Sequence, residues 1–352
     1  MMYDYLIIGQ GLAGTILAHT FLKHDKNIMV VNQTNENSSS KIAAGVYNPV
    51  TGMRMVKTWL ADDLFNLVPT FYAEIEERLN EIFLVPRLIY KPFINIEQQN
   101  DLIAKSADKE FKKYLSIAEN SLDTFYKPFV KNKLGACLLK QAGNLKISPM
   151  LDVFQKYLKK ENRYIEDVIN FDELILQDDF VEWKNIKAKK IIFCEGHQAT
   201  ENPYFDWLSF SLTKGEVLIV KIPDLPEEHM FNKGFFILPR GNHEFYVGSS
   251  YGREINLIPS ENARRMLTEK LDNLLNVSYE VIEHSVGIRP TVKDRRPFLG
   301  LHPEFKQIGI FNGLGTKGVT LGPYFATHFY EHLECGKDLA KEVNILRNYS
   351  LV

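Results

Sequence analysis

Cysteine is scarce and scattered: Cys137, Cys194 and Cys335 are the three in 352 residues, far apart and odd in number. That excludes a disulfide-stapled scaffold, leaves no zinc-ligand spacing and suits a reducing compartment, so no metal is expected. Long hydrophobic runs are missing too, and no segment is apolar enough for long enough to span a bilayer. The start, Met-Met-Tyr-Asp-Tyr-Leu-Ile-Ile-Gly, lacks the basic flank and apolar stretch of a secretory signal, and the expectation is a cytoplasmic protein without a membrane partner. Charge of one sign is also lacking. A net charge of −2 provides no global field for nucleic acid or anionic lipid. Residues 101–160 are the exception, with twelve Lys against six Asp plus Glu. What is present is ordinary for a globular chain, 45% apolar and 24% charged residues. The length corresponds to about two domains.

The chain opens as strand, helix, strand. Residues 4–8 read as a short buried strand. Residues 12–25 read as a helix with Leu12, Ile16, Leu17, Phe21 and Leu22 on one stripe, and residues 27–32 as a second strand. Helical patterns dominate residues 60–160, among them 71–79 and 104–117. Strands return over 164–171, 174–177, 180–184 and 190–194. Residues 215–222, 234–238 and 244–248 alternate like an antiparallel sheet, and a helix is expected at 260–275. The tail carries a strand at 308–312, a glycine-rich turn, and a helix over 319–333.

Gly9-Gln10-Gly11-Leu12-Ala13-Gly14 is a G-x-G-x-x-G set between the first strand and the first helix. Gly9 permits the turn, Gly11 lets backbone approach a pyrophosphate, and Gly14 lets helix and strand pack closely. The helix N-terminus then presents free N–H groups to the phosphates. Dinucleotide binding is the expectation. The second strand ends in Asn32-Gln33, where an acidic residue ordinarily takes the ribose hydroxyls; Asn bonds there without charge assistance.

Three further stretches bear on which dinucleotide. Ser38-Ser39-Ser40-Lys41 offers hydroxyls to phosphate oxygens, and Ala43-Ala44-Gly45-Val46 is small enough for a flat ring to lie against backbone. Cys194-Glu195-Gly196 ends a buried strand. Gly287-Ile288-Arg289-Pro290, Asp294-Arg295-Arg296-Pro297-Phe298-Leu299-Gly300 and Gly313-Leu314-Gly315-Thr316-Lys317-Gly318 fill the last quarter. Together these resemble the D-amino acid oxidase superfamily of FAD enzymes, in particular its glycine oxidase and sarcosine oxidase-like members. The resemblance implies an α/β architecture, a Rossmann-type FAD-binding domain with an inserted α+β substrate domain built on an antiparallel sheet. It implies a discontinuous FAD-binding domain over 1–60, 145–205 and 280–352, with 61–144 and 206–279 forming the substrate domain.

Carried over by motif, the resemblance puts the backbone of Val168 and Ile169 at the adenine, Ala43 to Val46 along the isoalloxazine, and Leu314, Gly315, Thr316, Lys317, Gly318, Val319 and Thr320 at its pyrimidine edge. It gives Arg289 the grip on a substrate carboxylate, which a guanidinium makes with two parallel bonds. Tyr251 and Tyr47 either shape the pocket or simply pack, and Lys317 either adds positive charge at the flavin or faces solvent. A tyrosine that holds the carboxylate in glycine oxidase is replaced by Phe236. No attachment point stands out, so noncovalent FAD is expected. The implied activity is hydride transfer from the C–N carbon of an amino acid or N-substituted amino acid, a small-molecule amine, to flavin.

Other readings remain open. The closing glycine-rich turn also looks like the FAD domain of the bifunctional enzyme that modifies tRNA wobble uridine, where the group oxidised is carboxymethylaminomethyl. The lysine excess in 101–160 suits RNA phosphates. A flavin-binding protein without turnover and a nicotinamide dehydrogenase are the remaining alternatives.

Overall fold

The computed structural model describes residues 2–35 and 38–349. The opening strand Met2–Ile8 is central to an eight-stranded sheet, parallel to Ile28–Asn32 on one side and to Ile186–Phe193 on the other. Tyr164–Glu166 extends one edge in parallel. Ile308–Asn312 pairs in parallel with the C-terminal half of Ile186–Phe193, whose first half pairs antiparallel with Val181–Trp183. Residues 5–8, 28–31, 191–193 and 308–312 of these strands are buried on both faces, which is why they read as unbroken apolar runs. Tyr5, Ile7, Val30 and Ile192 point to one core, and Leu6, Ile8, Val31 and Phe193 to the other.

The helices Leu12–Lys23 and Gly318–Cys335 lie against each other on the first of these cores. They touch closely because Gly318 and Gly322 face Leu12 and Ile16: a methyl group on either glycine would come within 2.9 and 2.5 Å of those side chains. The first and last glycine-rich turns are thereby neighbours, although some three hundred residues separate them.

A second eight-stranded sheet runs in the order Glu280–Arg289, Thr213–Lys221, Glu244–Gly248, Phe236–Gly241, Met230–Asn232, Ile89–Pro92, Ala136–Leu139 and Leu115–Ile117. It is antiparallel except between Met230–Asn232 and Ile89–Pro92, which are parallel. The helix Glu261–Leu274 covers one face through Leu267, Leu271 and Leu274. The strand Glu280–Arg289, assigned above to the FAD-binding portion, is the edge strand of this sheet.

Three expected elements differ. The helix expected over 104–117 ends at Ala107; Asp108 then turns the chain by accepting the Glu110 N–H, and Leu115–Ile117 is an edge strand. The spacing of Phe111, Tyr114 and Leu115 mimics a helical stripe, but their burial comes from a turn followed by a strand. The helix read at 71–79 starts at Ala61, with Pro69 inside it, a residue that masks helical continuity in sequence. The extended run expected over 164–171 is strand only to Glu166, and a short 3₁₀ turn begins at Phe171.

Candidate active site

A cavity of ≈ 750 Å³ lies between the C-terminal strand ends of the first sheet and one face of the second. Its wall is continuous from the first glycine turn to the last. Gly9, Gly11, Leu12, Ala13, Asn32, Gln33, Ser39, Ser40, Lys41, Ala43 to Tyr47, Cys194 to Gly196, Tyr251, Arg289 and Leu314 to Thr320 all contribute. The structure therefore brings together most of the residues singled out from sequence. Four stand apart. Gly14 lies beneath the wall, where a Cβ would sit 1.9 Å from the Gly9 carbonyl oxygen. Gly313 serves the turn, in the left-handed region at φ 75°. Val168 and Ile169 lie outside the wall, because the strand stops at Glu166. Val168 is exposed and its N–H bonds to Asp167 Oδ1.

At the dinucleotide end, strand geometry holds the loop. Gly9 adopts φ 96°, and a side chain there would strike the Cys194 carbonyl oxygen at 2.7 Å. The Leu12 N–H, at the helix start, donates to Ser40 Oγ, so a hydroxyl already marks the anion-seeking end of that helix. Asn32 has a structural task the sequence did not disclose: its Oδ1 accepts the Gln10 N–H at 2.8 Å and its Nδ2 donates to the Tyr164 hydroxyl. Asn312 ties the two ends together, donating to the Gly196 carbonyl while accepting the Gly313 N–H.

Glu195 sits at this end with its carboxyl enclosed and hydrogen-bonded by Asn202 Nδ2 at 2.8 Å. Burial, which disfavours the charged form, pushes its pKa up to about 7. A neutral carboxyl avoids repelling phosphates there. Between the ordinary carboxylate range and pH 7 the folded protein holds a proton that the unfolded chain has released, so this group lowers stability as pH rises through that window. Glu195→Gln should remove the dependence, gaining up to about 3 kcal/mol over the parent at pH 8 and little at pH 4.5. Denaturant midpoints of both proteins across that range check it; parallel profiles would show a carboxylate that titrates normally.

At the other end Arg289 lies half-buried across the second sheet. Its guanidinium donates to Ser249 Oγ at 2.9 Å and to the carbonyl oxygens of Ser250 and Lys214 at 3.3 and 3.5 Å, and the Tyr251 ring stacks on it at 4.8 Å. No acidic side chain among the described residues pairs with it. Burial draws its pKa down, yet a guanidinium stays charged. The slot is made by Gly215, where a Cβ would fall 2.0 Å from the Arg289 Nη2. Sequence reading missed Gly215, since nothing local distinguishes it from a turn glycine.

Tyr251 is 72% exposed, a rim residue rather than an enclosed one. Tyr47 reaches the cavity wall, but its ring packs in the core near Phe65, and burial followed by Glu76 pushes its pKa up to about 12. Lys317 caps the helix Gly318–Cys335 and is half-buried; burial first, then Arg295 and Arg296, lower its pKa to about 8. Phe236 lines the wall, with its ring edge over Gly248. Asn48 was also missed: it lines the cavity, and its buried Oδ1 has no hydrogen-bond partner.

The cavity suits FAD. Two neighbouring helix N-termini open onto one end of it, and it has a side-chain-free cradle at Gly9 and Gly11, a serine segment with hydroxyls to donate to phosphate oxygens, and a cationic far end. Solved structures of similar fold include glycine oxidase from Bacillus cereus ATCC 14579, at TM-score 0.79 and 17% identity with 96% of each chain covered. Glycine oxidase from Geobacillus kaustophilus superposes at 0.77 and 19% identity, again over 96% of each chain. Iminodiacetate oxidase from Chelativorans sp. BNC1 superposes at 0.75 and 19% identity, over 96% of this chain and 98% of that one. A sequence model of the DAO family, described as FAD dependent oxidoreductase, matches residues 4–331. This chain belongs to that family of FAD-dependent oxidoreductases.

Proposed function

We propose that the protein oxidises the C–N bond of an amino acid or N-substituted amino acid, with FAD held noncovalently. The observation that carries this reading is the half-buried Arg289 guanidinium, facing the cavity with no anionic partner among the described residues. A cation partly withdrawn from water is costly unless paired, so its place on a binding wall calls for an anion from outside, and a carboxylate matches its fork.

When bound, FAD would supply the two-electron acceptor for the hydrogen and electron pair of the substrate's C–H bond. Everything else falls to the chain. Arg289 fixes the carboxylate and hence the adjacent carbon. The Arg289 cation beside the substrate favours the free-base amine over the ammonium, which hydride loss requires. Phe236 and Val217 add apolar surface to the same wall and limit water. The N-terminus of the helix Gly318–Cys335, with Lys317 at its cap, favours negative charge at its end of the cavity. Neither a Ser/His/Asp arrangement nor a metal enters this scheme.

Anaerobic mixing of the purified yellow protein with a panel of amino acids and N-substituted glycines tests the reading. At least one should bleach the flavin absorbance in a single exponential, with the imine hydrolysing to a carbonyl product. Bleaching by none of them, under conditions where dithionite bleaches fully, would point to a flavin carrier instead. Bleaching only by tRNA bearing carboxymethylaminomethyl uridine, with a salt-sensitive gel shift, would move the same chemistry to a nucleic acid substrate.

A further inference from the structure

A fully buried cation shares the wall with Arg289, and the proposed reaction does not use it. Lys91 lies on Ile89–Pro92 and is 3% exposed. Its ammonium makes one hydrogen bond, to Asn232 Oδ1 at 3.2 Å, and no carboxylate among the described residues faces it. Both Lys91 and Asn232 line the cavity. The strand pairing sets where they stand. Asn232 pairs with Phe236, Phe236 with Gly248, and Gly248 with Val217, while Lys91 follows the pair Tyr90 and Phe231. Paired residues share a face, so Lys91, Asn232, Phe236, Gly248 and Val217 form one row across the cavity side of the sheet. Arg289 lies beyond Val217, its guanidinium over Gly215 and against Ser249.

An ammonium with three donors and one neutral acceptor, enclosed on a ligand-binding wall, is incomplete in the same way as Arg289. We propose that Lys91 and Asn232 form the second anchor of the substrate site, taking an acidic group at the far end of an elongated amino acid or N-substituted amino acid. This rests on the amine-oxidation reading and narrows its substrate class. Three strand spacings separate Asn232 from Gly215, beneath the Arg289 guanidinium, and four separate Lys91 from it, roughly 14–19 Å at about 4.8 Å per strand. That excludes glycine and sarcosine as best substrates and favours a chain with several bonds between its two acidic groups. Phe236, between the anchors, offers that chain an apolar seat.

The test uses oxidised holoenzyme and ligands that cannot be oxidised: straight-chain monocarboxylates, the α,ω-dicarboxylates of matched length from glutarate to azelate, and one ω-phosphonocarboxylate. Perturbation of the flavin spectrum reports Kd. The dicarboxylates of longer chain should bind about tenfold or more tightly than the matched monocarboxylates. Lys91→Met should abolish that difference and leave monocarboxylate binding unchanged, while Lys91→Arg should retain much of it. Preference for the phosphonate over the dicarboxylate would identify the distal group as phosphate and keep the anchor. Equal binding of mono- and dicarboxylates, or a preference that survives in yellow, folded Lys91→Met, overturns the proposal and leaves Arg289 standing. Monocarboxylate binding that is absent, or unaffected by Arg289→Ala, overturns the reading of Arg289 beneath it.

Discussion

Arg289→Ala is expected to give a folded, yellow protein that its substrate barely reduces, with kcat/KM down roughly 30- to 3,000-fold. That range corresponds to the 2–5 kcal/mol typical of truncating one partner of a buried charge pair. Stability should hold, because the arginine is a desolvated cation bonded only to a hydroxyl and two carbonyl oxygens, and its removal relieves a burial cost. Flavin content should also hold, since the dinucleotide-binding turns lie at the other end of the cavity. Gly215→Ala gives an independent check with the arginine still present. Its methyl group would overlap the guanidinium, at 2.0–2.5 Å from three of its atoms, so Arg289 must leave its slot. The expected result is a raised KM with FAD retained, a milder copy of the alanine variant. Arg289→Lys should recover part of the binding through charge, though without the fork. Stopped-flow bleaching traces decide the matter: identical rates for parent and Arg289→Ala would remove the residue from substrate binding.

What could be read from the sequence was whatever is local. The G-x-G-x-x-G turn, the buried strands and the final glycine-rich turn are encoded in consecutive residues, and their elements appear within a residue or two of expectation, as with Ile308–Asn312. Proximity between the two turns followed only from the family resemblance; its physical basis is the contact of Gly318 and Gly322 with the first helix, which no local pattern announces. The site's second half depends on cross-strand register. Gly215 matters because it pairs with Gly287 beside Arg289, and Lys91 because a parallel pairing sets it next to Asn232. In sequence each is an ordinary strand residue. Asn32 shows the converse: its position at the strand end was legible, but its bond to the Gln10 N–H depends on a side-chain rotamer.

Two glycines of the same motif should fail in different ways. In Gly14→Ala the new methyl group would lie 1.9 Å from the Gly9 carbonyl oxygen and 3.4 Å from Cys194 Cβ. Backbone cannot swing aside as a side chain can, so the helix Leu12–Lys23 must lift from the strand that precedes it. That costs about 1–3 kcal/mol or more of fold stability. It also moves the Leu12 and Ala13 N–H groups away from the phosphates they would serve, and the protein should purify nearly colourless. Gly11 already has the negative φ of −75° that any residue adopts, and a methyl group there meets only Ser40 Oγ, at 3.2 Å. Gly11→Ala should therefore fold almost as well as the parent and yet bind FAD on the order of a hundredfold more weakly, because the methyl occupies the surface against which the pyrophosphate lies. The comparison must be made on apoproteins, since FAD at a hundred times its Kd alone adds about 2.7 kcal/mol of apparent stability. Urea midpoints of the flavin-free forms, followed by fluorescence titration with FAD, separate the two effects. A Gly14→Ala protein with full flavin and an unchanged midpoint would mean that the turn and helix are not packed as described. A Gly11→Ala protein with parental FAD affinity would place the pyrophosphate somewhere else.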